Sequence, residues 1–123
     1  MVPPKDTPYQ TYTHIPFECT VEKPGDYPFV PPKIRCTIQL FHPNISTRGE
    51  ICLDILSAQW SPALTLERVF CSIRALFQNP NPSDPLNPEA AKVFKEDREL
   101  FDKIVGRGCY SVQDYDYYAQ GYN

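Results

Sequence analysis

The chain has no cysteines at C-x-x-C spacing, and its only two histidines, His14 and His42, stand far apart. A structural zinc site needs closely spaced ligand pairs, so none is expected. The five cysteines, Cys19, Cys36, Cys52, Cys71 and Cys109, are odd in number and widely spaced. That is a poor disulfide framework. The expectation is a reducing compartment, with most of these thiols acting as small buried hydrophobes. No apolar run approaches the roughly 20 residues that span a bilayer, and no N-terminal apolar stretch reads as a signal peptide. An excess of positive charge is also missing. The net charge of −3 and isoelectric point of about 5.3 argue against a nucleic-acid binder, which usually presents a basic face. A cytoplasmic or nuclear location is expected.

What is present suits one soluble globular domain over residues 1–123. A length of 123 residues buries a sizeable core without covalent staples. Proline is abundant, 14 in all, about twice the usual ~5%. The prolines concentrate at Pro24–Pro32 and Pro80–Pro88, between strongly patterned segments, and read as rigid turns.

Met1 to Pro8 is a lead-in with little pattern. From Tyr12 to Val21, Ile15, Phe17, Cys19 and Val21 alternate with polar residues and proline, which predicts a half-buried strand. Pro16 places it at an edge or on a bulge. Ile34, Cys36, Ile38 and Leu40 alternate in the same way and predict the clearest strand. From Ile45 to Pro62 neither period is sustained, so an irregular segment over the core is expected, often where function sits. Thr65 then reads as an N-cap. Leu66, Val69, Phe70, Ile73, Leu76 and Phe77 follow at helical spacing, and Asn79-Pro80 ends that helix. Asn87-Pro88 opens a second helix, whose apolar face runs from Ala90 to Val105, with Gly106 as its stop. The tail from Tyr110 is either a short docked helix or loose. Strands, a long loop and helices in that order predict an α+β fold, an antiparallel meander sheet with helices packed on one face.

Cys52 has two readings. A lone cysteine in an irregular segment is more often a buried core residue. Yet Cys52 lies outside any apolar period, with Asp54 beside it, so it can also face a groove. A nucleophilic cysteine usually needs a nearby base, commonly histidine. His42, ahead of proline in a tight turn, reads better as a structural residue that holds the turn. A Cys–His hydrolase is therefore poorly supported. An enzyme that carries an acyl group as a thioester has other needs: an accessible thiolate, an oxyanion donor, and a group that helps an amine lose its proton. Asn44 can supply the amide donor, worth about 3–4 kcal/mol of barrier in acyl transfer. Asp84 can supply the carboxylate. Each of these two also reads as a turn residue.

Several segments, in order, resemble the ubiquitin-conjugating enzyme family: Tyr27-Pro28-Phe29-x-Pro31-Pro32-Lys33, His42-Pro43-Asn44-Ile45, Gly49-x-Ile51-Cys52-Leu53-Asp54-Ile55-Leu56, Trp60-Ser61-Pro62-Ala63-Leu64, and Asn79-Pro80-Asn81-Pro82-x-Asp84-Pro85-Leu86. The resemblance covers about residues 6 to 105. It implies an acyltransferase in which Cys52 accepts ubiquitin from the activating enzyme as a thioester and passes it to a lysine amine or a ligase. Asn44 would stabilise the oxyanion or brace the loop, Asp84 and Asp54 would line the lysine approach, and His42 would be structural. Phe29, Ser61, Pro62 and Ala63 would dock ligases. An aromatic among prolines suits such an anchor, although Phe29 can instead pack under its turn. No cofactor or metal is implied, since ATP is consumed by the activating enzyme. The implied partners are ubiquitin or a ubiquitin-like modifier, the activating enzyme, ligases and protein substrates, with no nucleic acid and no membrane.

Three departures from the family pattern qualify the resemblance. The amphipathic helix that normally begins the family is expected to be missing. Thr11-Tyr12 replaces the usual Gly-Gly and should stiffen the first hairpin. Arg35-Cys36 and Leu76-Phe77 are similar to the branch that carries NEDD8, and the tyrosine-rich tail fits the ubiquitin branch poorly. Asp54 and Trp60-Ser61-Pro62-Ala63 favour ubiquitin. The alternatives are a NEDD8-conjugating enzyme and a non-catalytic variant that binds ubiquitin or a partner through the same fold.

Overall fold

The computed structural model describes residues 11–12 and 15–121; the lead-in Met1–Pro8 and the second histidine, His14, lie outside the described residues. Strands β1 (Cys19–Glu22) and β2 (Lys33–Cys36) form a two-stranded antiparallel sheet. Helices α1 (Leu66–Gln78), α2 (Pro88–Glu96), α3 (Arg98–Gly106) and α4 (Val112–Ala119) follow. The fold is the expected α+β class with helices against a sheet.

Both strands are shorter than their alternation predicts. Burial still alternates from Ile15 through Cys19 and from Lys33 through Leu40, but the ladder is confined to four pairs. Alternation records which side chains face the core. A ladder also needs a partner backbone, and Pro16 has no N–H to offer. The meander's continuation is reduced to isolated bridges, Arg35 with Glu50 and Ile45 with Ile51. Gly49 makes this close return possible. Its φ is +87°, and a Cβ there would lie 2.1 Å from the Cys36 carbonyl oxygen.

Helices α1 and α2 begin where the sequence says they should. The Thr65 hydroxyl accepts the Arg68 N–H at 3.2 Å, and the Asn87 side chain accepts the Ala90 N–H at 3.1 Å. Such caps satisfy N–H groups that the first turn leaves orphaned. The second helix, expected to run unbroken to Gly106, is instead interrupted at Asp97. The Asp97 N–H closes α2 on Val93, and its carboxylate caps α3 by accepting the Leu100 N–H. A short polar side chain competes with the helix for backbone groups. The break turns α3 so that Phe94 and Phe101 meet edge to face, 5.0 Å apart. The tail forms α4, capped by Ser111, and Val112 and Tyr115 pack on the core. No helix among the described residues is long and apolar enough to cross a membrane.

Two apolar clusters hold the layers together. Val69 and Ile73 of α1 pack on Ile34 of the sheet, while Phe41, Phe94, Phe101 and Ile104 form the second cluster. Phe77 touches both. Burial of each such side chain contributes about 1.5–3 kcal/mol. The cysteines depart from expectation. Cys36 and Cys109 are buried, Cys19 and Cys52 are half-buried, and Cys71 is exposed. Cys71 follows Phe70, itself 39% exposed, on the outer side of α1, where small size confers no burial.

Candidate functional site

The site is built on the turn after β2. His42, Pro43 and Asn44 are sealed from solvent. The Asn44 N–H donates to His42 Nδ1 at 2.9 Å, which leaves Nε2 as the protonated nitrogen, 3.2 Å from the Leu76 carbonyl. That carbonyl would ordinarily receive the N–H of residue 80, but residue 80 is proline and has none. His42 therefore satisfies an acceptor that Pro80 orphans, and it joins the turn to the end of α1. Burial lowers the His42 pKa to about 4, against the opposing effect of the Leu76 hydrogen bond. The ring is neutral at pH 7, and both of its nitrogens are engaged away from Cys52.

Asn44 grips the loop between α1 and α2. Its Nδ2 donates to the Asn81 carbonyl at 2.7 Å and to the Asp84 carbonyl at 3.3 Å, while its Oδ1 accepts the Asn81 N–H at 2.8 Å. The Pro43 carbonyl accepts the N–H groups of Leu86 and Asn87. This loop contains Pro80, Pro82 and Pro85, so it has few N–H groups with which to order itself, and outside polar groups fix its path. Both amide hydrogens of Asn44 are committed to these contacts. In this arrangement the side chain braces the loop, with its amide group turned to Asn81 and Asp84. Asn81 is the partner that sequence reasoning missed. Its signal was the Asn-Pro-Asn-Pro run, which needs an external brace.

The same residue positions Cys52 from the other side. The Cys52 N–H donates to the Asn44 carbonyl at 2.9 Å. One asparagine thus holds Cys52 by its backbone and the Asp84 loop by its side chain. The outcome is a Cys52 thiol donating to Asp84 Oδ2 across 3.7 Å. Burial first, then the charge and hydrogen bond of Asp84, then the charge of Asp54, raise the Cys52 thiol above its ordinary pKa. The raised thiol favours the protonated form at rest, so it must lose its proton before it attacks. Asp54 is exposed and opens a short 3₁₀ turn, Asp54–Leu56. The two carboxylates make the thiol's surroundings attractive to a cation.

The four docking candidates lie at one joint. The Trp60 indole N–H donates to the Pro28 carbonyl at 2.9 Å, and the Tyr27 and Trp60 rings lie 6.1 Å apart. This tie brings the neighbours Phe29 and Ser61–Pro62–Ala63 to the same joint. Phe29 is 78% exposed, so it does not pack under its turn, and Ser61, Pro62 and Ala63 are exposed as well. Among the described residues, no cluster of three or more His, Cys, Asp or Glu side chains is placed to hold a metal.

Comparison with known proteins gives two findings. The family model described as ubiquitin-conjugating enzyme matches residues 1–108. A solved Toxoplasma gondii ubiquitin conjugating enzyme E2 domain is similar in structure, with a TM-score of 0.76 at 40% sequence identity; the match covers 85% of this chain and 71% of that chain.

Proposed function

Because this chain belongs to the ubiquitin-conjugating enzyme family, we propose that Cys52 carries ubiquitin as a thioester and surrenders it to a lysine amine. Enzymes of this family are generally acyltransferases that work between an activating enzyme, a modifier and ligases. In the first step the Cys52 sulfur, having lost its proton, attacks the thioester carbonyl of the charged activating enzyme, whose own thiolate leaves. In the second step an amine attacks the Cys52 thioester. The sulfur departs as thiolate, and the amine's proton passes to Asp84 or to water. A ligase cysteine can take the place of the amine.

The observation that carries this reading is the half-exposed thiol 3.7 Å from a carboxylate, with the buried histidine turned away. A hydrolytic site would set a base to activate water. Here the carboxylates of Asp84 and Asp54 favour an approaching ammonium and help it release a proton. The raised thiol works in the same direction. A thiol of higher pKa is a poorer leaving group, so its thioester waits for a strong nucleophile. The binding-only alternative makes no use of an accessible Cys52. Phe29 and Ser61–Pro62–Ala63 form the ligase-docking patch.

The test is charging. The chain is incubated with activating enzyme, ATP and ubiquitin and resolved on a non-reducing gel. A thiol-sensitive adduct that Cys52→Ser abolishes supports the reading; an uncharged Cys52 refutes it for ubiquitin. A parallel arm with NEDD8 and its own activating enzyme tests the alternative favoured by Arg35-Cys36 and Leu76-Phe77. Failure of both arms leaves the binding-only variant.

A further inference from the structure

Cys19 and Cys36 stand directly opposite each other in the β1–β2 ladder. Two hydrogen bonds define the kind of pair they form. The Thr37 N–H donates to the Glu18 carbonyl at 2.9 Å, so the step beside them is a hydrogen-bonded pair. Pair types alternate along an antiparallel ladder, which makes Cys19 and Cys36 a non-hydrogen-bonded pair. The Cys36 N–H agrees: it points away from β1 and donates to the Gly49 carbonyl at 2.8 Å. In such pairs the Cα atoms lie about 4.5 Å apart, with both side chains on one face. A disulfide spans Cα separations of about 4.4–6.8 Å. Both thiols are free, and the Cys36 thiol donates to the Ile38 carbonyl at 3.1 Å. Rotation about its Cα–Cβ bond turns the sulfur towards Cys19.

The geometry points to Cys19 and Cys36 as a reversible dithiol–disulfide pair that cross-links the hairpin carrying Phe29. Cys19 is the half-buried member and Cys36 the buried one, so Cys19 reacts first. With a small-molecule disulfide such as oxidised glutathione as the oxidant, the Cys19 thiolate attacks one glutathione sulfur. The glutathione S–S bond breaks and one glutathione thiolate leaves. Cys36, after losing its proton, then attacks the Cys19 sulfur in the mixed disulfide and expels the second glutathione. The two cysteines lose two electrons and two protons, and two molecules of reduced glutathione are formed.

The bond would join the two ends of the segment that contains Phe29 and Pro28, whose carbonyl holds Trp60. Oxidation thereby ties the presentation of the exposed Phe29 to redox state. Burial raises the Cys19 thiol. It also raises the Cys36 thiol, which the Ile38 hydrogen bond lowers and the neighbouring Cys19 raises again. Both groups therefore rest as thiols and exchange slowly at neutral pH. This inference does not depend on the conjugating activity.

The full chain is equilibrated in native buffer with graded mixtures of reduced and oxidised glutathione, quenched by alkylation and digested with trypsin. Cleavage after Lys33 and Arg35 leaves the two cysteines on separate peptides. The expected result is a linked Cys19–Cys36 peptide as the main internal disulfide, with a mass loss of about 2 Da that a reductant reverses. Cys19→Ser and Cys36→Ser each remove it and leave the remaining thiol glutathionylated or alkylated. The bridged form should melt several degrees higher, with about 10 °C as the upper scale. Exposed Cys71 reports that the oxidant acted. Glutathionylated Cys71 beside fully alkylated Cys19 and Cys36 would overturn the inference, and so would a linked peptide that forms only in urea.

Discussion

Replacing Asn44 with alanine separates two explanations of how this residue serves the site. The substitution deletes three hydrogen bonds, at 2.7, 3.3 and 2.8 Å, from a side chain that is 1% exposed. Each net bond contributes about 1 kcal/mol, and any group left buried without a partner costs about 1–3 kcal/mol. Water can reach part of the 79–86 loop, so a loss of about 2–3 kcal/mol is expected, read from the urea midpoint. The Cys52 N–H keeps its bond to the residue 44 backbone carbonyl. Thioester loading should therefore change about twofold at most, while discharge to free lysine slows by roughly 10- to 100-fold as Asp84 loses its bracing. The decisive measurement is a double-mutant cycle with Asp84→Asn. If Asn44 acts through the loop, Asn44→Ala adds little once Asp84 is neutral. A direct oxyanion donor would cost about 100- to 1,000-fold in either background. That additive loss, with an unchanged urea midpoint, would refute the bracing argument.

Three further outcomes follow from particular contacts. The His42 pKa of about 4 lies below its ordinary 6.5, so its contribution is whole above pH 6.5 and is lost as pH falls towards 4. The scale is about 3 kcal/mol; urea titrations of wild type and His42→Gln across that range should show a flatter profile for the variant, and identical slopes would contradict it. Gly49→Ala forces a side chain onto a φ of +87° and against the Cys36 carbonyl, so a loss of roughly 3 kcal/mol is expected by thermal or urea unfolding. Phe29→Ala removes a 78% exposed ring. Stability should shift by no more than about 0.5 kcal/mol and loading should hold, while ligase affinity by titration falls by an order of magnitude or more.

Much of the framework was legible in residue order. Thr65, Asn87 and the 3.6-residue apolar spacing located α1 and the start of α2, because caps and amphipathic stripes are local chemistry. The break at Asp97 was missed because a continuous apolar stripe masks a single residue that prefers to cap. Strand length was overread because alternation reports burial, while a ladder depends on a partner distant in sequence. The Cys52 and Asp84 candidates were legible as residue types and through the family resemblance, but not as neighbours in space. Their 3.7 Å approach comes from a turn and a loop separated by some 40 residues.

Sequence alone determined the proline-rich turns, the starts of α1 and α2 and the set of residues able to carry an acyl group. Tertiary structure decided that Asn44 spends its amide on the loop, that His42 serves the carbonyl orphaned by Pro80, and that Cys19 faces Cys36. Those decisions are non-local. Each depends on which distant backbone groups lack partners, and only packing the chain brings an orphaned group and its donor within hydrogen-bonding reach.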